Sequence, residues 1–221
     1  MVWNSVWDDV FRKNEWGKYP DESLIRFVAG KYYGSPNRKN IKILEVGCGP
    51  GANLWYLSRE GFNAYGIDGS TEAISIARKR FSEEHLMVEL QVCDIMKLQY
   101  PDDYFDCVVD IECLYANSFA NTELILQEIC RTMKPGGFLF SKSITDKMYL
   151  GKQRDEVGQL EFNNISDGPA AGKGFARSMS QQRIHQLYGQ FFTVEQIDLH
   201  EYTRNNQTLL NSEWVIVCSK R

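Results

Sequence analysis

The chain of 221 residues lacks a long apolar run, a basic surplus and a leader-like start. Nowhere do about 18 apolar residues follow one another, so the sequence predicts no membrane-spanning helix and no membrane partner. The first residues lack the basic start and apolar stretch of a signal peptide, which favours a cytoplasmic protein. The formal net charge of −4 argues against a chain whose main partner is a nucleic-acid backbone.

Metal-binding patterns and histidine clusters are missing as well. None of the six cysteines forms C-x-x-C, and no histidine stands at zinc-finger spacing from a cysteine pair, so we expect reduced, buried thiols and no metal site. The three histidines are His85, His185 and His200, and none has a detectable partner arrangement. No histidine-dependent mechanism follows from them.

The composition that is present is ordinary for a globular protein. Hydrophobic residues make up 43% of the chain and charged residues 24%, which fits one large α/β domain. Residues 1–40 contain two helical patterns, the first of which places apolar side chains on one face at Trp3, Val6, Trp7, Val10 and Phe11. We expect residues 1–40 to form a peripheral helical cap, or lid, on a main domain of residues 41–221.

From residue 41 onward, strand and helix patterns alternate. The predicted strands are residues 41–46, 62–67, 87–93, 104–111 and 138–144, and the predicted helices are 52–59, 70–81 and 122–133. Residues 135–137 are predicted to form a turn before the fifth strand. Such alternation indicates right-handed crossovers and a mostly parallel sheet with helices on both faces.

The last part of the chain has a different pattern. Two strand-like runs, residues 193–202 and 213–219, are separated by a connection too short for a crossover helix, so they should be antiparallel to one another. Before a helix at 180–188 lies the segment 146–179, which is too long for a simple connection. We expect a substrate-side insertion there, with a flexible lid at residues 168–174.

A glycine-rich turn, Glu45–Gly51, follows the first strand and precedes a helix. Glycines at this place let the backbone approach a ligand. The turn also satisfies G-x-G-x-x-A, because Ala52 occupies the last position, so a dinucleotide competes with S-adenosylmethionine (SAM) as the ligand. Asp68 ends the second strand, where either cofactor would present ribose hydroxyls to a carboxylate.

Three further features favour SAM. Glu45 would repel a pyrophosphate but suits the sulfonium and ammonium groups of SAM. Asp94 follows the third strand, where it can accept a hydrogen bond from an adenine amino group. The run Lys134-Pro135-Gly136-Gly137 opens the fifth strand.

In this combination the chain resembles the class I SAM-dependent methyltransferases over roughly residues 41–221. Their pattern appears in order as Glu45–Gly51, Asp68, Asp94, Phe105–Val108 and Lys134–Gly137. The resemblance implies a Rossmann-like, seven-stranded, mostly parallel sheet whose last strand is antiparallel. It also implies SAM as cofactor, bound across the carboxyl ends of the strands.

The resemblance further implies a set of cofactor contacts. Gly47, Gly49 and Gly51 would contact the methionine part, and Asp68 the ribose. The remaining contacts implied are Asp94 and Ile95 at the adenine, Gly69 and Ser70 beside its ring, and Asp110 and Ile111 close to the sulfonium. From the non-periodic aromatic turn at residues 16–20 we expect Trp16 or Tyr19 to close over SAM and shield its positive sulfur.

Glu112 and Tyr115 follow the fourth strand and are the first candidates for catalytic contacts with the acceptor. This stretch contains neither a histidine nor the N-P-P-Y/F amino-methylating motif, so a histidine base and a nucleic-acid amino group are both disfavoured. We expect a small-molecule acceptor, a hydroxyl of a sugar or secondary metabolite, and a monomer or homodimer. The alternatives are an RNA or protein methyltransferase, an NAD-dependent oxidoreductase, and a SAM-binding module without catalysis.

Overall fold

The computed structural model describes residues 4–221, so Trp3 of the first helical pattern lies outside the described residues. The helices are α1 (Val6–Lys13), α2 (Glu22–Tyr32), α3 (Ala52–Arg59), α4 (Thr71–Glu83), α5 (Phe119–Thr132) and α6 (Gln181–Tyr188). The strands are β1 (Lys42–Val46), β2 (Asn63–Asp68), β3 (Val88–Val92), β4 (Phe105–Ile111), β5 (Met133–Ile144), β6 (Asp155–Gly158), β7 (Glu161–Asn163), β8 (Ala176–Arg177), β9 (Thr193–Arg204) and β10 (Leu209–Ser219). None of these helices has the length and apolar character needed to cross a bilayer.

Seven strands form one sheet in the order β3-β2-β1-β4-β5-β10-β9. Strands β1 to β5 pair in parallel, and β10 pairs antiparallel with both β5 and β9. The predicted seven-stranded, mostly parallel sheet with an antiparallel last strand is therefore confirmed. Because β1 to β4 are parallel, their carboxyl ends meet at one edge, and the segments that follow them share that edge.

Helices cover both faces of the sheet. One face packs α5 and α6 against fully buried strand residues such as Leu44, Val108 and Ile216. The opposite face packs α2, α3 and α4 against residues such as Ile43 and Val109. Both apolar layers are removed from water, which is the main favourable term in folding.

The expectation of a peripheral cap is wrong for α2. Leu24 and Val28 of this helix are fully buried in the same cluster as Ile43 and Leu54. Asp21 caps the helix by accepting hydrogen bonds from the backbone amides of Ser23 and Leu24. The helix is a structural layer of the domain because its apolar stripe has the sheet itself as its partner.

Two further segments differ from the sequence-based prediction. The insertion contains a second sheet, β6-β7-β8, with its own buried cluster that includes Met148, Phe162 and, from the expected lid, Ala170. Residues 135–137 belong to β5, whose pairing with β4 shifts register between Phe105 and Cys107. Gly136 has φ +75 in this bulge, which supplies the local change of direction expected from a turn.

Candidate functional site

A cavity of about 230 Å³ lies at the carboxyl ends of β1 to β4. Segments that follow these four strands line it, together with the N-terminal segment on one side and the insertion on the other. The lining side chains include four carboxylates, a lysine, three aromatic rings of the N-terminal segment and two cysteines: Glu45, Asp68, Asp94, Glu112, Lys173, Trp7, Phe11, Trp16, Cys48 and Cys113.

The glycine-rich turn forms the floor of the cavity between β1 and α3. Gly47 and Gly49 line it and have φ +65 and +51, in the left-handed region that favours glycine. A Cβ on Gly47 would come within 2.2 Å of the Cys113 Sγ, so the turn and the segment after β4 leave no room for a side chain there. Gly51 has φ +80 and packs against Phe81 outside the cavity.

Glu45, at the end of β1, is the most unusual carboxylate of the site. It is 2% exposed, and its Oε1 accepts a hydrogen bond of 2.6 Å from the Asn53 side-chain amide of α3. Its Oε2 has no hydrogen-bond partner among residues 4–221. Burial raises the pKa of Glu45 to about 8. A buried carboxyl oxygen without a partner is costly, so this arrangement favours a positively charged ligand beside it.

Asp68, at the end of β2, is held by backbone amides. Its Oδ2 accepts from Gly49 N and its Oδ1 from Ser70 N, both at 2.8 Å. Each oxygen keeps a further lone pair for a ligand hydroxyl. Ser70 lies outside the cavity; it caps α4 and donates its hydroxyl to Asp8 of α1, which fastens the N-terminal helix beside the site.

The segment after β3 contributes Asp94 and Ile95 to the cavity wall, next to Gly69. One oxygen of Asp94 accepts a hydrogen bond of 3.0 Å from Met96 N. Because β3 is the edge strand, these residues lie at the end of the cavity most distant from β4.

The segment after β4 forms the other end of the cavity. Ile111 lines it, but Asp110 is fully buried beneath it. Asp110 Oδ1 accepts from the backbone amides of Cys113 and Leu114, and its Oδ2 accepts from the Ser141 hydroxyl. Burial raises the pKa of Asp110 to about 6. Its hydrogen bonds therefore indicate a structural role in shaping the segment that follows β4.

Glu112 and Tyr115 both line the cavity. Glu112 has φ +58, and its amide donates to the Lys142 carbonyl at 3.0 Å, which holds the side chain toward the cavity. Burial raises the pKa of Glu112 to about 7, and the neighbouring Glu213 carboxyl adds to the rise. Burial likewise keeps the pKa of the Tyr115 phenol above its ordinary value, so Tyr115 is neutral.

Aromatic rings of the N-terminal segment line the side of the cavity. Trp7 and Phe11 of α1 lie 5.8 Å apart between ring centroids, and Trp16 packs edge-on against Phe11 at 5.2 Å. The Lys173 ammonium of the insertion lies 5.7 Å from the Trp16 ring. Tyr19, by contrast, is 76% exposed, packs on Trp55 and does not line the cavity.

The structure thus brings most of the predicted site residues together. The ones that line the cavity are Trp16, Glu45, Gly47, Gly49, Asp68, Gly69, Asp94, Ile95, Ile111, Glu112 and Tyr115. The ones that do not are Tyr19, Gly51, Ser70 and Asp110.

Sequence reasoning missed Asn53 and Glu213, and it gave Lys173 of the insertion no place in the site. The signal available for Glu213 and Lys142 was their position as charged residues inside otherwise apolar strands, because such residues are rarely buried without a partner.

Comparison with known proteins agrees with this geometry. Residues 44–141 match the family model described as methyltransferase domain. The fatty-acid O-methyltransferase of Mycolicibacterium smegmatis is 29% identical over 122 residues, which is 53% of this chain and 43% of that protein. The mitochondrial ubiquinone biosynthesis O-methyltransferase of Homo sapiens is 32% identical over 127 residues, or 56% of this chain and 34% of that protein. The chain thus aligns with less than half the length of either relative.

The fold is also similar to solved structures. A SAM-dependent methyltransferase from Methanosarcina mazei superposes with a TM-score of 0.71 at 20% sequence identity, covering 91% of this chain and 98% of the other. The superposition therefore extends well beyond residues 44–141, and it shows a similarity of fold.

Proposed function

We propose that this chain, of which residues 44–141 match a methyltransferase-domain family model, belongs to the class I SAM-dependent methyltransferases and transfers the methyl group of SAM to a hydroxyl of a small-molecule acceptor. The observation that carries the proposal is one cavity with two differently placed carboxyl groups. Glu45 presents a buried, unpartnered oxygen at the glycine-rich turn, and Glu112 lies at the end of β4.

SAM fits the residues at the glycine-rich turn better than a dinucleotide does. The unpartnered Glu45 oxygen suits a cationic group, whereas a pyrophosphate beside it would add a further negative charge to a buried acid. Asp68 faces the same cavity at the end of the next strand, where it would hold the ribose hydroxyls. The adenine would lie toward Asp94 and Ile95, at the β3 end.

When bound, SAM supplies a methyl group activated by positive sulfur. The residues of the chain then have to place the acceptor in line and exclude water, which is worth ~7–11 kcal/mol of barrier in favourable cases. Trp7, Phe11 and Trp16 wall one side of the cavity against solvent. Glu112 accepts the hydroxyl proton as the acceptor oxygen bonds to the methyl carbon. Its pKa of about 7 suits a general base at neutral pH.

One observation favours a second candidate, a carboxylate acceptor. Lys173 lines the cavity, and no ion pair to it occurs within residues 4–221. An ammonium in that position would pair with an anionic group of an acceptor. Since a carboxylate has no proton to lose, that reaction would depend on Lys173 and not on Glu112.

The experiment is a screen of acceptors scored by release of S-adenosylhomocysteine (SAH), using phenols, sugars, alcohols and fatty acids, with RNA and protein included. We expect turnover with a hydroxyl compound. Glu112→Gln should lower kcat by about 10²–10⁴ and leave the Kd for SAM unchanged. Lys173→Met should have a smaller effect, and Glu156→Gln on the exposed strand β6 serves as the matched control.

The other outcomes have distinct meanings. Turnover of fatty acids that depends on Lys173 and survives Glu112→Gln would replace the hydroxyl acceptor by a carboxylate. SAM binding without SAH release from any class would contradict the enzymatic proposal and indicate a binding module.

A further inference from the structure

A network of buried charges lies behind Glu112. Lys142 of β5 places its Nζ 2.7 Å from the Glu213 Oε2 of β10 and 2.8 Å from the Asp21 Oδ2 at the start of α2. Lys142 is 9% exposed and Glu213 3%. A single ammonium therefore holds two carboxylates, one from the sheet and one from the N-terminal helix layer.

A third carboxyl group joins this network from the cavity side. The carboxyl group of Glu112 is hydrogen bonded to the carboxyl group of Glu213. The backbone amide of Glu112 donates a hydrogen bond to the Lys142 carbonyl. Two carboxyl groups in such contact cannot both be ionised without a large cost, so they share a proton.

The charges that face Glu112 balance only with that proton in place. The titratable groups packed around it come from five elements: Glu213 on β10, Lys142 on β5, Lys173 on the insertion, Tyr115 in the segment after β4 and, through Lys142, Asp21 before α2. Three carboxyl groups and two ammonium groups carry a net charge of −1 when all are ionised. Retention of one proton makes the buried group neutral.

We propose that Glu112 and Glu213 form one proton-sharing pair, in which Glu112 faces the acceptor and Glu213 is a positioning residue anchored by Lys142 and Asp21. The acceptor part of this inference rests on the proposed function. Because the Lys142 Nζ lies 2.7 Å from the Glu213 Oε2, the exchangeable proton resides on the Glu112 side of the pair. Glu112 releases this proton to solvent before turnover. During transfer, the acceptor O–H bond breaks, its oxygen bonds to the methyl carbon as the carbon–sulfur bond breaks, and the proton passes to ionised Glu112.

Two substitutions test the pair because each should shift the titration of Glu112 in the same, predictable direction. Glu213→Gln removes the like charge, and Asp21→Asn leaves Lys142 with excess positive charge, so both should lower the pKa of Glu112, by about one unit or more. Asparagine caps helices as well as aspartate does, so Asp21→Asn should fold. Glu156→Gln is the control.

The readout is carbon NMR of the free protein with labelled glutamate carboxyl groups, in which signals are assigned by their loss in Glu112→Gln and Glu213→Gln. In the unmodified protein we expect the Glu112 signal to titrate around pH 7, and the Glu213 signal to change over the same range because the two groups share the proton. In the two variants the Glu112 midpoint should move to lower pH, and the pH profile of kcat/KM should move with it.

Each result decides between the two proposals. Titration of Glu112 at an ordinary glutamate value without a response of the Glu213 signal, or a Glu112 midpoint unmoved by both substitutions, would overturn the shared proton. The expected NMR shifts without SAH release from any hydroxyl acceptor would uphold the pair and count against the proposed function instead.

Discussion

Without a ligand, the Glu45→Gln variant should become more stable than the wild type as the pH rises, when the two free energies of unfolding are compared. The Glu45 side chain is 2% exposed, with one oxygen unpartnered among residues 4–221. Burial raises its pKa to about 8, against 4.5 for an ordinary glutamate. The native state therefore binds the proton more tightly than the unfolded chain does. Between these two values the free energy of unfolding falls as pH rises.

The size of this effect follows from the shift in pKa. A shift of one unit corresponds to about 1.4 kcal/mol, so the full rise represents about 5 kcal/mol, an upper bound reached at pH 8 and above. Below pH 4.5 the term vanishes, because both states of the wild-type residue are protonated. The glutamine amide would itself lack an acceptor, at a cost of about 1–3 kcal/mol at every pH. The pH dependence of the difference between the two proteins is therefore the quantity to compare.

Urea denaturation of both proteins at pH 5, 6, 7 and 8 measures this difference. We expect the free energies of unfolding to diverge with pH in favour of Glu45→Gln, while Glu156→Gln follows the wild type. Glu45→Gln should also bind SAM about 10–100-fold more weakly than the wild type, because a charge-assisted hydrogen bond is lost. Parallel curves for the wild type and Glu45→Gln would refute the reasoning that a buried, costly carboxyl group is kept for a cationic ligand.

Two further predictions concern the walls of the same cavity. Gly47→Ala places a Cβ 2.2 Å from the Cys113 Sγ at a residue with φ +65. We therefore expect calorimetry to show loss of SAM binding, and urea denaturation to show a free energy of unfolding lower by about 1–3 kcal/mol. Unchanged binding would contradict the geometry of the turn. Trp16→Ala should weaken SAM binding several-fold through loss of cation–π attraction. Tyr19→Ala should leave the Kd unchanged, because of these two residues only Trp16 lines the cavity. Equal effects of the two substitutions would argue against the role of Trp16.

The sheet and the edge at which the cavity lies could be predicted because their signals are local. The alternation of strands and helices determines a parallel sheet through chain connectivity, and the ends of parallel strands meet at one edge. Glu45 and Asp68 stand at the end of a strand and Asp94 follows one closely, so their proximity followed once the strands were located.

The remaining features depend on contacts between distant parts of the chain. Glu213 and Lys142 are separated by about 70 residues, and only the pairing of β10 with β5 brings them to the wall behind Glu112. Asn53 and Asp21 likewise act through packing of α2 on α3, where the Asp21 amide donates to the Asn53 side chain at 2.9 Å. Helical spacing identified the apolar face of α1 but could not show that Trp7 and Phe11 line a cavity.

Isothermal titration of the free protein with SAM and, in parallel, with NAD tests the central claim most directly. At pH 7 Glu45 is protonated in the free protein, and a cationic ligand beside it should lower its pKa and release the proton. We predict that SAM binds, with a heat that varies with the ionisation enthalpy of the buffer, and that NAD does not bind. Binding of NAD without binding of SAM would contradict the account.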